Sequence, residues 1–165
     1  MRIVPLLTAA LIAGLAGCMH DVKLSGYAAP RANLHVGGQP DATQLRVFAT
    51  GGGIVIDLRA PGEARGYDEA ALAKELGLRY LNLPVTGAAD LTPANALALH
   101  AALAAAEGPV LLHCASGNRA GALLALEAAR HEGFDAESAL ALGRSGGLTS
   151  LEPAVRERLG APDRP

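Results

Sequence analysis

The stretch VLLHCASGNRAGALLAL, residues 110–126, decides the fold. It opens as a short apolar run, too apolar to lie exposed and so read as a buried strand over 109–113. It turns at His113-Cys114, crosses a loop of small residues, meets Arg119 and continues as an Ala- and Leu-rich helix closed by Gly133. A strand that runs through a short loop into a helix is one half of a parallel α/β unit.

Working outward, the same alternation repeats. Residues 33–38 read as a short strand ending in glycines, and 40–50 as a helix with Leu45, Phe48 and Ala49 at helical spacing. A glycine break and a β-branched run, 51–59, give another strand. Residues 67–77 give a helix with Leu72 and Leu76 four apart, ended by Gly77. Residues 78–85 read as a strand stopped at Pro84. The segment 91–108 is the clearest helix, with Thr92 as N-cap, Pro93 in the first turn and Gly108 at the end. Residues 135–147 and 150–160 read as two further short helices. The expectation is an α/β fold: a central, mainly parallel sheet of about four or five strands flanked by helices.

The chain has 165 residues and a formal net charge of −2, enough length for one core and with no basic cluster to track a nucleic acid. Half of it is apolar, only 3% aromatic, and there is no Trp, so Ala, Leu and Val must build the core. Two cysteines do not make a disulfide framework.

The N-terminus reads as a targeting segment. Arg2 precedes an apolar run from Ile3 to Leu15, too short for a stable span. Leu15-Ala16-Gly17-Cys18 resembles a bacterial lipobox. That resemblance implies a lipoprotein signal peptide over 1–17 and lipidation at Cys18. With Met19 next, it also implies a lipid-anchored protein at the periplasmic face of a bacterial membrane, the outer one favoured. An ordinary signal peptide with an incidental cysteine is the alternative. Residues 18–30 read as a tether and 31–165 as the domain.

In parallel sheets ligands bind beyond the carboxyl ends of the strands, where Cys114 falls. The N–H groups of Ala115, Ser116, Gly117, Asn118 and Arg119 can converge there, and the helix dipole favours both a thiolate and a bound anion. Gly117 permits a left-handed turn, and Arg119 can take two oxygens of a tetrahedral anion at once. A nucleophile, an anion cradle and a bidentate cation suit attack on such an anion. A buried core cysteine beside a surface arginine is the plainer alternative. His113 should point away from Cys114 and act as a core histidine. Asp57 and Arg59, at another strand end, either brace the loop or form a structural ion pair. His35, His100 and His131 share no spacing that suggests a metal site.

His-Cys followed by a loop with Gly and Arg resembles the active-site loop of cysteine-dependent protein phosphatases. Those carry one residue more between Cys and Arg than the four here. The short loop, together with GGQPDATQLRVFATGGGIVIDLR (37–59), VIDLRAPGE (55–63) and LRYLNLPVTGAADLT (78–92), is similar to a bacterial phosphatase-like family. That family includes the phosphatase-like domain of β-lactamase hydrolase-like proteins, and the similarity covers roughly residues 33–130. It implies a dual-specificity-phosphatase-like fold and hydrolysis of phosphomonoesters through a phosphocysteine, with no metal or organic cofactor. Cys114 would be the nucleophile, Arg119 the phosphate clamp, and the main-chain N–H groups of 115–119 the cradle. Asp90, the carboxylate of PVTGAADLTP, would be the general acid, or else cap the following helix. Ala120 stands where phosphatases of this type carry Ser or Thr to help the thiolate leave.

A rhodanese-type sulfurtransferase carrying a persulfide on Cys114 shares the short loop but not the segment 66–83. A lipoprotein that binds an anion without turnover is a third reading, kept open by Ala120. The scarcity of aromatic residues argues against a deep phosphotyrosine pocket and leaves phosphorylated small molecules, lipids or a phosphoprotein as partners.

Overall fold

The computed structural model describes residues 23–160. Residues 1–17, the lipidation candidate Cys18 and the last five residues lie outside the described part. Along the chain run β1 (Ala28–Arg31), β2 (Leu34–Gly37), α1 (Ala42–Ala49), β3 (Ile54–Asp57), α2 (Glu69–Glu75) and β4 (Arg79–Asn82). A 3-10 turn (Ala88–Asp90), α3 (Pro93–Ala104), β5 (Val110–His113), α4 (Asn118–His131), α5 (Ala136–Ser145) and α6 (Glu152–Leu159) follow.

The sheet order is β1-β2-β5-β3-β4. β5 lies between β2 and β3 and runs parallel to both, and β4 runs parallel to β3. Among the described strands only β1 is antiparallel. The α/β expectation is met, with Cys114 at the carboxyl edge of the middle strand. Among the described residues no helix is long and apolar enough to cross a membrane.

Side-chain alternation divides the core into two layers. Ile54, Ile56, Leu58, Val110, Leu112 and Cys114 join residues of α3, α4, α5 and α6 in one cluster. Val55 and Leu111 join Leu45, Phe48, Leu72 and Ala73 of α1 and α2 in the other. The helix starts follow local chemistry. Asp41 accepts from the Gln44 N–H at 2.7 Å, while the Gln44 side chain accepts from the Asp41 N–H at 2.9 Å, a closed capping box. Thr92 caps α3 through the Asn95 N–H, with Pro93 beside it.

One boundary changes. Residues 23–30, expected as part of a tether, fold against the sheet. β1 pairs with β2, and Leu24, 6% exposed, packs among Phe48, Val55 and Leu111. The strand AAPR is short, sits on an edge and tolerates Pro30 there, so it lacks the alternating apolar pattern that announces a strand.

Helix α4, which leads away from Cys114, is set by a close approach to α5. A Cβ on Gly121 would lie 2.4 Å from the Gly143 carbonyl oxygen and 2.5 Å from the Leu148 nitrogen, backbone atoms that cannot swing aside. Gly121→Ala should therefore destabilise the fold by about 2 kcal/mol. Urea unfolding checks this, and a loss below about 0.5 kcal/mol would show that the helices part easily.

Candidate active site

Three loops meet at Arg119. The first follows β5. Gly117 takes the left-handed conformation, φ 93°, and starts α4; its N–H donates to Cys114 Sγ at 3.1 Å. The loop is held to the β2 end through the Cys114 N–H on the Gly37 carbonyl (3.3 Å) and the Gln39 N–H on the Ala115 carbonyl (3.2 Å). Cys114 is buried, whereas Ala115 and Ser116 are exposed at the mouth. The N–H groups of Asn118 and Arg119 begin a helix and have no partner in its own ladder.

The second loop, residues 60–66, follows β3. Glu63 lies on the Ala60 N–H at 2.8 Å and takes both terminal nitrogens of Arg119, at 2.6 and 2.8 Å. The Arg119 hydrogen bonds hold the Glu63 carboxyl down at about 2, against the small opposing effect of burial. In turn Glu63 does most to raise the basicity of Arg119; burial opposes it and the Cys114 sulfur adds to it. Arg65 ties this loop together, donating to the carbonyls of Ala60, Pro61 and Glu63 and to Asp57 Oδ2.

The third loop, residues 83–92, follows β4. Arg119 donates to the Val85 carbonyl at 3.0 Å. Asp90 Oδ2 accepts from the Thr86 N–H at 2.7 Å and from Thr86 Oγ1 at 2.5 Å, bonds that lower its pKa. Asp90 is thus held as a carboxylate inside its own loop, while Thr92 caps α3.

Beneath the loops lies a buried charged cluster. Arg59 donates to Asp57 Oδ1 through Nε (2.9 Å) and to Oδ2 through Nη2 (3.1 Å), and it also pairs with Glu69. Tyr80 Oη donates to Asp57 Oδ2 at 2.7 Å. Burial pushes the Asp57 carboxyl up, but the Arg59 and Tyr80 hydrogen bonds outweigh it and leave it well below the usual carboxylate range. His113 points into this cluster, Nε2 at 2.9 Å from Glu69, and so faces away from Cys114 as the alternation required. The two readings of Asp57 and Arg59 merge: the ion pair is structural, and through Arg65 it braces the loop that presents Glu63.

Of the predicted cradle, Cys114, Gly117 and Arg119 come together. The Asn118 side chain is used elsewhere. Its Oδ1 accepts from the N–H groups of Thr149 (2.8 Å) and Leu151 (3.3 Å), and its Nδ2 donates to Ser150 Oγ at 2.7 Å. Only the Asn118 backbone is left to serve an anion. Sequence reasoning missed Glu63, although RAPGE stands directly after a strand end on the site's edge, and it missed Thr86, four residues before Asp90. Among the described residues two groups bring metal-ligand atoms within 4.8 Å of one another: Asp57 with Glu69 and His113, and His100 with Glu127 and Glu132. An arginine already bridges the two carboxylates of each, Arg59 in the first and Arg31 in the second (3.1 Å to Glu127, 2.7 Å to Glu132).

Glu63→Ala should release Arg119 from its aim and lower kcat/KM for an aryl phosphate by about tenfold. The melting temperature should stay close to wild type, since the pair is partly exposed. A rise in kcat/KM would show instead that Glu63 competes with phosphate.

Comparison with known proteins follows the same lines. Residues 31–131 match the family described as beta-lactamase hydrolase-like protein, phosphatase-like domain. A beta-lactamase hydrolase-like protein of Xylella fastidiosa is 38% identical over 120 residues, 70% of this chain. The chain spans only 28% of that relative's length. Among solved structures, Tk-PTP in its active form superposes with a TM-score of 0.67 at 18% identity, covering 83% of this chain and 97% of its own. A variant of TpbA from P. aeruginosa, in complex with pTyr, superposes with a TM-score of 0.59 at 25% identity, covering 75% and 76%. The fold is that of the tyrosine-phosphatase-like enzymes, and the chain belongs to the phosphatase-like domain family of the beta-lactamase hydrolase-like proteins.

Proposed function

We propose that the chain is a cysteine-dependent phosphatase that cleaves phosphomonoesters through a phosphocysteine on Cys114. The observation that carries this reading is the Gly117 N–H on the Cys114 sulfur, with the Arg119 guanidinium held by Glu63 and near enough to that sulfur to interact with it. The Cys114 thiolate attacks phosphorus and the ester oxygen departs with its bonding pair. Arg119 and the backbone N–H groups of 115–119 stabilise the charge on the equatorial oxygens. Asp90 gives the leaving oxygen its proton, and then takes one from the water that cleaves the S–P bond and frees phosphate. The substrate is a phosphorylated small molecule or phosphoprotein; the pTyr complex of TpbA supports a phosphorylated ligand. The N-terminal sequence supports a lipid-anchored protein facing the periplasm.

The Thr86 bonds set the acid's working range. They favour ionised Asp90, so the proton donor is scarce at neutral pH. Thr86→Val removes the Oγ1 donor, raises the Asp90 pKa and should move the basic limb of the pH–rate profile for β-glycerophosphate to higher pH. A limb that stays in place would remove Asp90 as the acid.

The full chain is assayed with p-nitrophenyl phosphate and β-glycerophosphate, and beside them with thiosulfate and cyanide. Phosphate release is expected. Thiocyanate formation without it would move the chain to the sulfurtransferases, which need no proton from Asp90. Tight phosphate binding without turnover would mark an anion-binding protein.

A further inference from the structure

Helix α6 touches two of the three loops at once. At its start, the backbone N–H groups of Thr149 and Leu151 and the hydroxyl of Ser150 all bond the side chain of Asn118, which sits between Gly117 and Arg119. At its end, Arg158 reaches the opposite loop. Its Nε donates to the Leu91 carbonyl at 2.6 Å and its Nη2 to the Ala88 carbonyl at 2.5 Å. These two carbonyls flank Asp90. The Asp90 carbonyl itself accepts from Asn95 Nδ2 at 2.7 Å. Between its two ends α6 is seated by Val155, fully buried in the core layer below α4. The helix therefore runs as a short strut from the nucleophile loop to the 3-10 turn.

We infer that α6 is a positioning strut and that Arg158 is a positioning residue, fixing the Asp90 turn relative to Cys114. The inference rests on the phosphatase reading above and deepens it. Arg158 lies beyond residues 31–131, the part that matches the family, so the family match alone does not assign it. The physical argument is geometric. A 3-10 turn of three residues has little hydrogen bonding of its own. An arginine fork that grips one of its carbonyls, Ala88, and that of Leu91 just after it, from a helix seated in the core, removes most of its remaining freedom. Transfer of a proton across a hydrogen-bond distance is steeply sensitive to that freedom.

The strut predicts a dependence on the leaving group. p-Nitrophenolate leaves with little help from an acid; an alkoxide does not. In Arg158→Ala, kcat for β-glycerophosphate should fall at least about tenfold, and that for p-nitrophenyl phosphate by less than about threefold. Lysine can reach one carbonyl but cannot fork across two, so Arg158→Lys should recover part of the loss. Hydrogen exchange of the full chain gives a readout that needs no turnover. Amides of residues 86–91 should exchange about tenfold faster in Arg158→Ala, while those of β5 keep their protection. Equal losses on both substrates, or unchanged exchange at 86–91, would overturn the strut. A wild-type chain that releases no phosphate ends the phosphatase reading, and the catalytic role of the strut with it. The exchange data then tell that failure apart from a turn that α6 never held.

Discussion

Replacing Cys114 with serine should abolish phosphate release from p-nitrophenyl phosphate, with a loss of at least about a thousandfold in kcat. A serine hydroxyl is far less acidic than a thiol, and among the described residues the groups bonded to the side chain at position 114 are N–H donors, not a base. His113, the nearest base in sequence, points to Glu69 on the opposite face of the sheet. On the proposed reading the Gly117 N–H and Arg119 would stabilise a negative sulfur and the phosphate oxygens; they do not create a nucleophile from an alcohol. The substitution is nearly isosteric in a fully buried site, so the melting temperature should change little. Steady-state kinetics and a thermal melt on the same samples decide the matter. Activity above about a hundredth of wild type in a folded Cys114→Ser protein would remove Cys114 as the nucleophile.

Arg59→Met should be the most damaging single change to stability, costing about 3–5 kcal/mol. Arg59 is fully buried and holds two fully buried carboxylates, Asp57 and Glu69. Methionine matches much of its volume but leaves Asp57 with Tyr80, Arg65 and backbone donors, and leaves Glu69 with His113 beside it. The pH dependence gives the sign. In the wild type the folded Asp57 pKa lies below its unfolded value. Its contribution is therefore complete above the ordinary carboxylate range and is lost as pH falls through the folded value. Without Arg59 desolvation drives the buried Asp57 carboxyl upward, so mild acidification neutralises it and relieves the variant. The stability gap between the two proteins should narrow from neutral pH toward the carboxylate range. Urea unfolding across that range tests it, and a gap that widened would mean the cluster stays fully ionised without its arginine.

Much of this molecule is written in local patterns. The β-branched run at 54–57 and the apolar run at 110–113 are central parallel strands, buried on both faces, so they read as continuous hydrophobic stretches. Cys114, Gly117 and Arg119 lie within six residues, and a strand-loop-helix connection forces them together. Contacts between distant segments left no such trace. Glu63 meets Arg119 across 56 residues and Arg158 meets Ala88 across 70. Nothing in the periodicity of either partner announces the other. Asn118 looked like a cradle residue because it stands in the loop; its side chain turned to Thr149 and Leu151, whose N–H groups needed an acceptor near the start of α6. β1 was hidden because an edge strand with one neighbour needs no alternation to pay for its burial.

The grip of Glu63 on Arg119 has one more consequence. A free arginine side chain loses about 2 kcal/mol of rotational freedom when a ligand immobilises it. Here two carboxylate oxygens and the Val85 carbonyl have already removed that freedom during folding. On the proposed reading the guanidinium plane would meet an incoming phosphate with its entropy already surrendered, so binding would cost less. The same arrangement would make phosphate recognition a property of the intact tertiary structure. A chain that has lost the packing between the 60–66 loop and α4 would then lose the proposed anion site as well, even where the local turn from Cys114 to Arg119 survives.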